Sequence, residues 1–120
     1  MLSNGVDIVD VRRIRQALDR FGDRFLKRIY TDSELAVCRR NAEALAARFS
    51  GKEAVMKTLG LKYLPWKDIE ILPDPKGKPL VTLHGQAKMR SDELKLGEIA
   101  ISLSHEREYA VASAIAQIIE

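Results

Sequence analysis

Hydrophobic and polar residues alternate near the start of the chain, over residues 4–10. Alternation of this kind is typical of a strand, because successive side chains of an extended backbone point to opposite sides. Val6 and Ile8 fall on one side, and Asp7 and Val9 fall on the other. The pattern therefore predicts a strand in which one face carries an acidic side chain next to an apolar one.

The spacing of apolar residues then becomes helical. Gly22 is expected to interrupt a first helical segment, whose apolar positions are Ile14, Leu18, Phe21 and Phe25. Thr31, followed three positions later by Glu34, is the sequence signature of a capping box at a helix start. This box opens a second helical pattern, which Asn41 divides and which ends near Gly60, since glycine commonly follows the last turn of a helix.

Shorter segments make up the rest of the chain. They are a strand at 67–72, a turn-rich stretch at 73–79, a strand at 80–84, a short polar helix at 85–94, and strands at 98–104 and 109–118. The last two strands are close enough in sequence to form an antiparallel hairpin. This order of elements predicts an α+β fold, with a mainly antiparallel sheet and its long helices packed on one face. The length of 120 residues predicts a single domain spanning residues 1–120.

Positive charge is concentrated in one stretch of the chain. Lys and Arg number 20 against 17 Asp and Glu, which gives a formal net charge of +3. Between positions 12 and 28 the only acids are Asp19 and Asp23, and the basic residues are Arg12, Arg13, Arg15, Arg20, Arg24, Lys27 and Arg28. A local surface of this charge is expected to bind an anionic partner.

The composition also bears on location and redox chemistry. No run of eighteen or more apolar residues and no signal-peptide pattern occurs in the sequence. We therefore expect no membrane insertion and a cytoplasmic protein. The single cysteine, Cys38, lies on a helical apolar pattern with Leu35, Leu45 and Phe49 and is expected to be a small buried residue without a catalytic role.

Asp7 and Glu53 are candidate metal ligands, because a strand and a helix can each bring one carboxylate to the same place. Glu53 and Lys57 are four residues apart in a helical segment and therefore share a helix face. Mg²⁺ is commonly held by one or two carboxylates with substrate phosphates and water, and a nearby lysine suits phosphate. By spacing alone, an exposed Glu53–Lys57 ion pair is the favoured explanation of these residues.

Longer sequence blocks cover most of the chain: GVDIVD at 5–10, FLKRI at 25–29, RFSGKEAVMKTLG at 48–60, KGKP at 76–79 and SLSHEREYAVA at 102–112. With these blocks the chain resembles the holo-[acyl-carrier-protein] synthase family, the group-I 4′-phosphopantetheinyl transferases. The resemblance implies a Mg²⁺-dependent enzyme of fatty acid biosynthesis. It would transfer the 4′-phosphopantetheine group of coenzyme A to a serine of apo acyl carrier protein and release adenosine 3′,5′-bisphosphate.

The same resemblance implies roles for individual residues. Asp7 and Glu53 correspond to the metal ligands, and together with Lys57 they correspond to the catalytic residues. Arg48, Lys57 and His105 correspond to residues that bind coenzyme A. The family also implies a homotrimer with active sites between its subunits.

The arginine-rich stretch is the expected docking surface for the carrier, because acyl carrier proteins are strongly acidic and charge complementarity favours their association. The residues chosen are Arg13, Arg20, Arg24, Phe25 and Arg28. Phe25 has a second interpretation as a core residue. One rival hypothesis is a non-catalytic module that binds nucleic acid through the same arginines; it would not need Asp7 or Glu53, and no nucleic-acid-binding signature accompanies it, so we expect no nucleic-acid partner. A second rival keeps the fold but makes the chain a pathway-dedicated transferase that acts on a polyketide or peptide-synthetase carrier domain.

Two positions inside the 48–60 block carry separate expectations. Lys52 points roughly 100° away from Glu53 on a helix and is expected to be exposed to solvent, outside the site. Gly51 is expected to weaken the helix by about 1 kcal/mol relative to alanine, unless close packing requires it.

Overall fold

The computed structural model describes residues 1–63 and 65–119 of the chain. The elements are β1 (Leu2–Asp10), α1 (Val11–Phe21), α2 (Asp23–Ile29), α3 (Asp32–Cys38), α4 (Ala42–Thr58), a short 3-10 helix (Trp66–Asp68), β2 (Ile69–Pro73), β3 (Pro79–Leu83), α5 (Gly85–Glu93), β4 (Ala100–His105) and β5 (Tyr109–Gln117). This is the predicted α+β fold. Within the described ranges, no helix combines the length and apolar character needed to span a membrane.

The strands form two antiparallel sheets. One has the order β1-β5-β4 and contains the predicted β4–β5 hairpin, while the other consists of β2 and β3 alone. The sequence pattern predicts a single sheet, whereas in the structure α5 lies in the chain between β3 and β4, and no ladder joins these two strands among the described residues. Leu96 pairs with Ile118, and the Gly97 N–H donates to the carbonyl of Gln117. These contacts continue the β4–β5 hairpin beyond Ala100.

Helix α4 packs across the inner face of the three-stranded sheet and also contacts β2. Gly51 lies at the closest approach: a methyl group added there would lie 2.6 Å from Ile71 Cδ1 and 3.0 Å from Leu103 Cδ2. The glycine therefore meets the close-packing condition under which its helix cost is offset. Small residues do the same on β5, where Ala110, Ala112, Ala114 and Ala116 are buried.

Helices α1, α2 and α3 pack around the first half of α4 and form a second part of the core. The predicted boundaries are confirmed: Gly22 separates α1 from α2, Thr31 and Glu34 form a capping box at α3, and Asn41 caps α4. Cys38 is buried, as expected, and burial raises the pKa of its thiol. Phe25 is half-buried against this core.

The outer face of the three-stranded sheet is apolar and exposed. Val6 and Ile8 are 61% and 64% exposed, while the opposite side of β1 packs inward. Cross-strand pairing places Ile8 opposite Val111. Further apolar residues exposed on β1 and β5 are Leu2, Tyr109 and Ile115. We call this surface the outer sheet face.

Candidate active site

Asp7 sits where β1 lies directly against α4. Gly5 permits this contact, since a Cβ at that position would lie 2.8 Å from Lys57 Cβ and 3.0 Å from the backbone nitrogen of Thr58. The Ser50 hydroxyl donates toward Asp7, with Oγ 2.9 Å from the backbone oxygen and 3.1 Å from Oδ2. The strand and the helix are thereby held in one register around this carboxylate.

Lys57 contacts Asp7 on the same side. Its Nζ donates to the carbonyl oxygen of Val6 at 2.8 Å and lies 3.4 Å from Asp7 Oδ1. Within residues 1–63 and 65–119, the ion pair of Lys57 is with Asp7 and not with Glu53 on its own helix. The intrahelical Glu53–Lys57 pair, which the spacing allowed, is thus not the arrangement found.

Glu53 lies close enough to Asp7 for the two charges to interact. The pKa of the Glu53 carboxyl is raised, first by burial and then by the negative charge of Asp7, while Lys57 acts in the opposite direction. Two neighbouring carboxylates with one partly exposed lysine make an environment in which an added cation is favourable. Within the described ranges no cluster of three or more His, Cys, Asp or Glu occurs. The donor set fits Mg²⁺, which commonly takes its remaining ligands from phosphate and water.

These side chains line one cavity of about 440 Å³, together with residues of α1 and α2. We call it the carboxylate cavity. Its lining residues are Asp7, Ile8, Val9, Arg13, Ile14, Ala17, Phe25, Phe49, Glu53 and Lys57. Two of the predicted docking residues, Arg13 and Phe25, therefore adjoin the predicted metal ligands.

A second, larger cavity of about 760 Å³ lies beside the first and shares Ala17 and Phe25 with it. We call it the aromatic groove. Its lining residues are Ala17, Phe21, Arg24, Phe25, Lys27, Arg28, Ile29 and Trp66. Arg20 lies over the ring of Phe21, 5.2 Å from its centre. The predicted docking residues thus border these two adjoining cavities.

A comparison with known proteins decides the family. A model of the 4′-phosphopantetheinyl transferase superfamily matches residues 3–114. A holo-[acyl-carrier-protein] synthase of Dehalococcoides mccartyi is 48% identical over 118 residues, covering 98% of this chain and 99% of the relative. The chain belongs to the holo-[acyl-carrier-protein] synthase family. It is therefore an enzyme of the phosphopantetheinyl transferase class, as the sequence blocks imply.

Solved structures agree with this assignment of the transferase. The Helicobacter pylori holo-[acyl-carrier-protein] synthase, solved in complex with coenzyme A, is 32% identical with a TM-score of 0.87, and the match covers 95% of this chain and 99% of that one. The Plasmodium yoelii holo-ACP-synthase is 34% identical with a TM-score of 0.84, covering 95% and 92% of the two chains. The whole α+β architecture is thus shared with this family.

Arg48 and His105 of the transferase lie outside the carboxylate cavity. His105 Nδ1 is 3.2 Å from Glu43 Oε1, at the end of β4. The Nε of Arg48 is buried, and among the described residues it has no hydrogen-bond partner. One chain thus gathers Asp7, Glu53 and Lys57 at a common cavity but leaves the other two predicted coenzyme A-binding residues apart from it.

Lys52 of the transferase is buried, and the expectation that it is exposed is wrong. Its Nζ lies 2.7 Å from Glu34 Oε1, both side chains are fully buried, and it donates to the carbonyl of Trp66. The other Glu34 oxygen accepts the Ile71 N–H at 2.9 Å, and the Thr31 N–H donates to Oε1. Burial lowers the pKa of the Lys52 ammonium, and the Glu34 carboxylate opposes that shift.

The physical reason for this correction is the direction in which Lys52 leaves α4. On the helix, Lys52 is rotated roughly 100° from Glu53. Its side chain therefore points into the junction of α4 with α3 and β2, where Glu34 provides the opposite charge. Trp66, whose carbonyl Lys52 contacts, stacks on Phe49 with ring centres 4.9 Å apart. Phe49 lines the carboxylate cavity. The buried pair therefore supports one wall of the site from behind.

Proposed function

We propose that this transferase moves the 4′-phosphopantetheine group of coenzyme A to a serine of apo acyl carrier protein, in a Mg²⁺-dependent reaction of fatty acid biosynthesis. Residues 1–120 act as one transferase domain. The main support is that Asp7, Glu53 and Lys57 meet at the carboxylate cavity, which Arg13 of α1 also lines. The coenzyme A complex of the H. pylori relative supports the choice of donor.

The chemistry requires charge stabilisation around a pyrophosphate. The serine oxygen attacks the β-phosphorus, the bond from that phosphorus to the bridging oxygen breaks, and adenosine 3′,5′-bisphosphate leaves. Asp7 and Glu53 would hold Mg²⁺, which would neutralise part of the charge on the phosphate oxygens. Lys57 adds a positive charge on the same side. The serine proton needs an acceptor within hydrogen-bond reach, and the two carboxylates provide candidates.

We further propose a homotrimer whose active sites lie between subunits, with Arg48 and His105 binding coenzyme A that reacts at a neighbouring carboxylate cavity. Their separation from the carboxylates within one chain supports this arrangement. An arginine fork suits a phosphate group, and Arg48 Nε lacks a partner among the described residues. The exposed apolar residues of the outer sheet face are the surface that subunits would bury.

The trimer predicts a particle of three 13.5 kDa chains in sedimentation analysis. Ile8→Asp is expected to dissociate it, because a charge would be buried in an apolar interface. Met89→Asp is the matched control, since Met89 is equally exposed, at 64%, but lies on α5 outside the outer sheet face. A wild-type chain that sediments as a monomer would contradict the proposal, and so would equal dissociation of both variants.

We propose that the carrier docks along α1 and α2. The support is the exposed positive charge beside the carboxylate cavity, which matches an acidic partner. The proposed contacts are Arg13, Arg20, Arg24, Phe25 and Arg28. Half-burial of Phe25 against the helical core gives it a packing role as well, so its contribution to docking is the smaller one.

Intact-mass spectrometry of an apo acyl carrier protein tests the proposed reaction. Incubation with this protein, coenzyme A and Mg²⁺ is expected to add one phosphopantetheine mass to the carrier, while the same mixture with a chelator adds none. A carrier whose acceptor serine is replaced by alanine is the control for site specificity. An unmodified carrier in the presence of folded protein and metal would overturn the proposal.

A further inference from the structure

Ser50 places a fully buried hydroxyl directly behind the Asp7 carboxylate. Its Oγ lies 3.1 Å from Asp7 Oδ2 and 2.9 Å from the backbone oxygen of the same residue. Serine hydroxyls inside helices often bond back to a carbonyl of their own helix. This hydroxyl leaves α4 and donates to β1, so it acts on the residue that the transfer reaction would use.

We propose that Ser50 is a positioning residue, which orients Asp7 for Mg²⁺ and thereby sets the affinity of the site for the metal. This inference rests on the proposed metal-dependent transfer. Groups that hold a metal ligand in place commonly raise metal affinity by about ten- to a hundredfold. Ser50 acts through Asp7 and needs no contact with the metal or with either substrate.

The contact between Lys57 and Asp7 shows why the orientation of the carboxylate matters. Lys57 Nζ lies 3.4 Å from Asp7 Oδ1, whereas a close ammonium–carboxylate hydrogen bond spans about 2.7–2.9 Å. The Ser50 hydroxyl holds the other oxygen, Oδ2, and so resists rotation of the carboxylate toward the lysine. Without this hydroxyl we expect a closer Lys57–Asp7 ion pair, which would compete with a cation for the same carboxylate.

The hydrogen bond from Ser50 leaves Asp7 able to bind a cation. Each oxygen of a carboxylate has two lone pairs, so one hydrogen bond to Oδ2 leaves further acceptor sites. The Asp7 side chain is 17% exposed and lines the carboxylate cavity, while the hydroxyl approaches it from the buried side. The support and the open face of the carboxylate therefore lie on different sides.

Binding of Mn²⁺, a spectroscopic substitute for Mg²⁺ at oxygen ligands, tests the proposal without turnover. Mn²⁺ is titrated into the protein with coenzyme A and no carrier, and the free ion is measured by electron paramagnetic resonance. Competition with Mg²⁺ then gives the affinity for Mg²⁺. Ser50→Ala is expected to weaken binding of both ions about tenfold or more. Alanine is slightly smaller than serine and a better helix former, so α4 is expected to persist.

Steady-state rates provide a second measurement, because a positioning role affects one kinetic constant more than the other. In Ser50→Ala the Mg²⁺ concentration for half-maximal rate should rise about tenfold or more, while kcat at saturating Mg²⁺ stays nearly unchanged. Thr58→Val is the matched control. Thr58 is a second buried hydroxyl residue of α4, but its Oγ1 donates to the Ala54 carbonyl at 3.0 Å. Thr58→Val should therefore keep the parental metal affinity, and urea unfolding reports any loss of stability separately.

The outcomes distinguish this inference from the transfer reaction itself. Parental Mn²⁺ affinity in Ser50→Ala, with transfer still dependent on Mg²⁺, would overturn the positioning role and leave the reaction intact. Equal weakening in Thr58→Val would assign the effect to packing of α4 and would also overturn the role. A parent chain that binds no Mn²⁺ beside coenzyme A, and transfers equally well with a chelator, would overturn the metal-dependent reaction first and this inference with it.

Discussion

Replacing Asp7 or Glu53 by alanine is expected to lower the rate of transfer about a thousandfold, which corresponds to roughly 4 kcal/mol of transition-state stabilisation. Each change removes one of the two carboxylates that would hold Mg²⁺ against the pyrophosphate. Glu53→Gln keeps the size of the side chain and removes its charge, so it is expected to behave like the alanine variant. Initial rates from intact-mass spectrometry, at saturating carrier and coenzyme A, provide the measurement.

The fold is expected to survive the Glu53 substitution. Burial and the charge of Asp7 raise the pKa of Glu53, which means that its ionised form is disfavoured in the folded protein. Removing that carboxylate at neutral pH therefore relieves an unfavourable interaction. Urea unfolding monitored by circular dichroism is expected to give a free energy of unfolding equal to or above that of the parent chain.

Charge reversal on α1 and α2 is expected to have a different kinetic effect from loss of the carboxylates. Arg13→Glu and Arg24→Glu are expected to raise the carrier KM with little change in kcat, because rim charges act mainly on association. The carboxylate variants should show the opposite pattern, a loss in kcat that added carrier does not restore. Full activity in either carboxylate variant would overturn the metal assignment.

Local sequence signals were sufficient for most of the elements. The alternation around Asp7 predicts β1, and the Thr31–Glu34 capping box and Asn41 mark helix starts that the structure confirms. The division into two sheets could not be predicted in this way. Alternation and turn signals predict β2–β3 and β4–β5 as hairpins, but they do not record whether β3 and β4 form a ladder with each other.

The same distinction between local sequence signals and tertiary contacts applies to the site. Spacing put Glu53 and Lys57 on one helix face, but only the close contact of β1 with α4 determines that Lys57 pairs with Asp7. The chemical roles of these residues remain predictions. Lys52 shows the limit most clearly, since a lysine beside an acidic residue on a helix is usually exposed. Its burial depends on Glu34, which the sequence identifies as a capping residue without showing that its carboxylate also meets Lys52.

Lys52→Met is expected to lower the free energy of unfolding by about 3–5 kcal/mol, the usual effect of removing one partner of a buried ion pair. The substitution leaves the Glu34 carboxylate buried without its countercharge, and it removes the hydrogen bond to the Trp66 carbonyl. Urea unfolding is the measurement. Lys57→Met is the matched control on the same helix: Lys57 is 52% exposed, so its ion pair is expected to contribute under about 1 kcal/mol.

A double-variant comparison separates the pair from simple packing. Glu34→Gln alone is expected to destabilise the fold, because Lys52 then keeps a buried charge without its countercharge. The combined Lys52→Met and Glu34→Gln variant should be less destabilised than the sum of the two single variants, since each leaves the other partner uncompensated. Additive effects would contradict a coupled pair.

The two lysine variants are expected to differ in activity in the opposite sense to their stability. Lys57→Met should lose transfer activity per folded molecule while it remains stable. Lys52→Met should lose stability first, because Lys52 supports the Trp66–Phe49 wall without contacting the substrate.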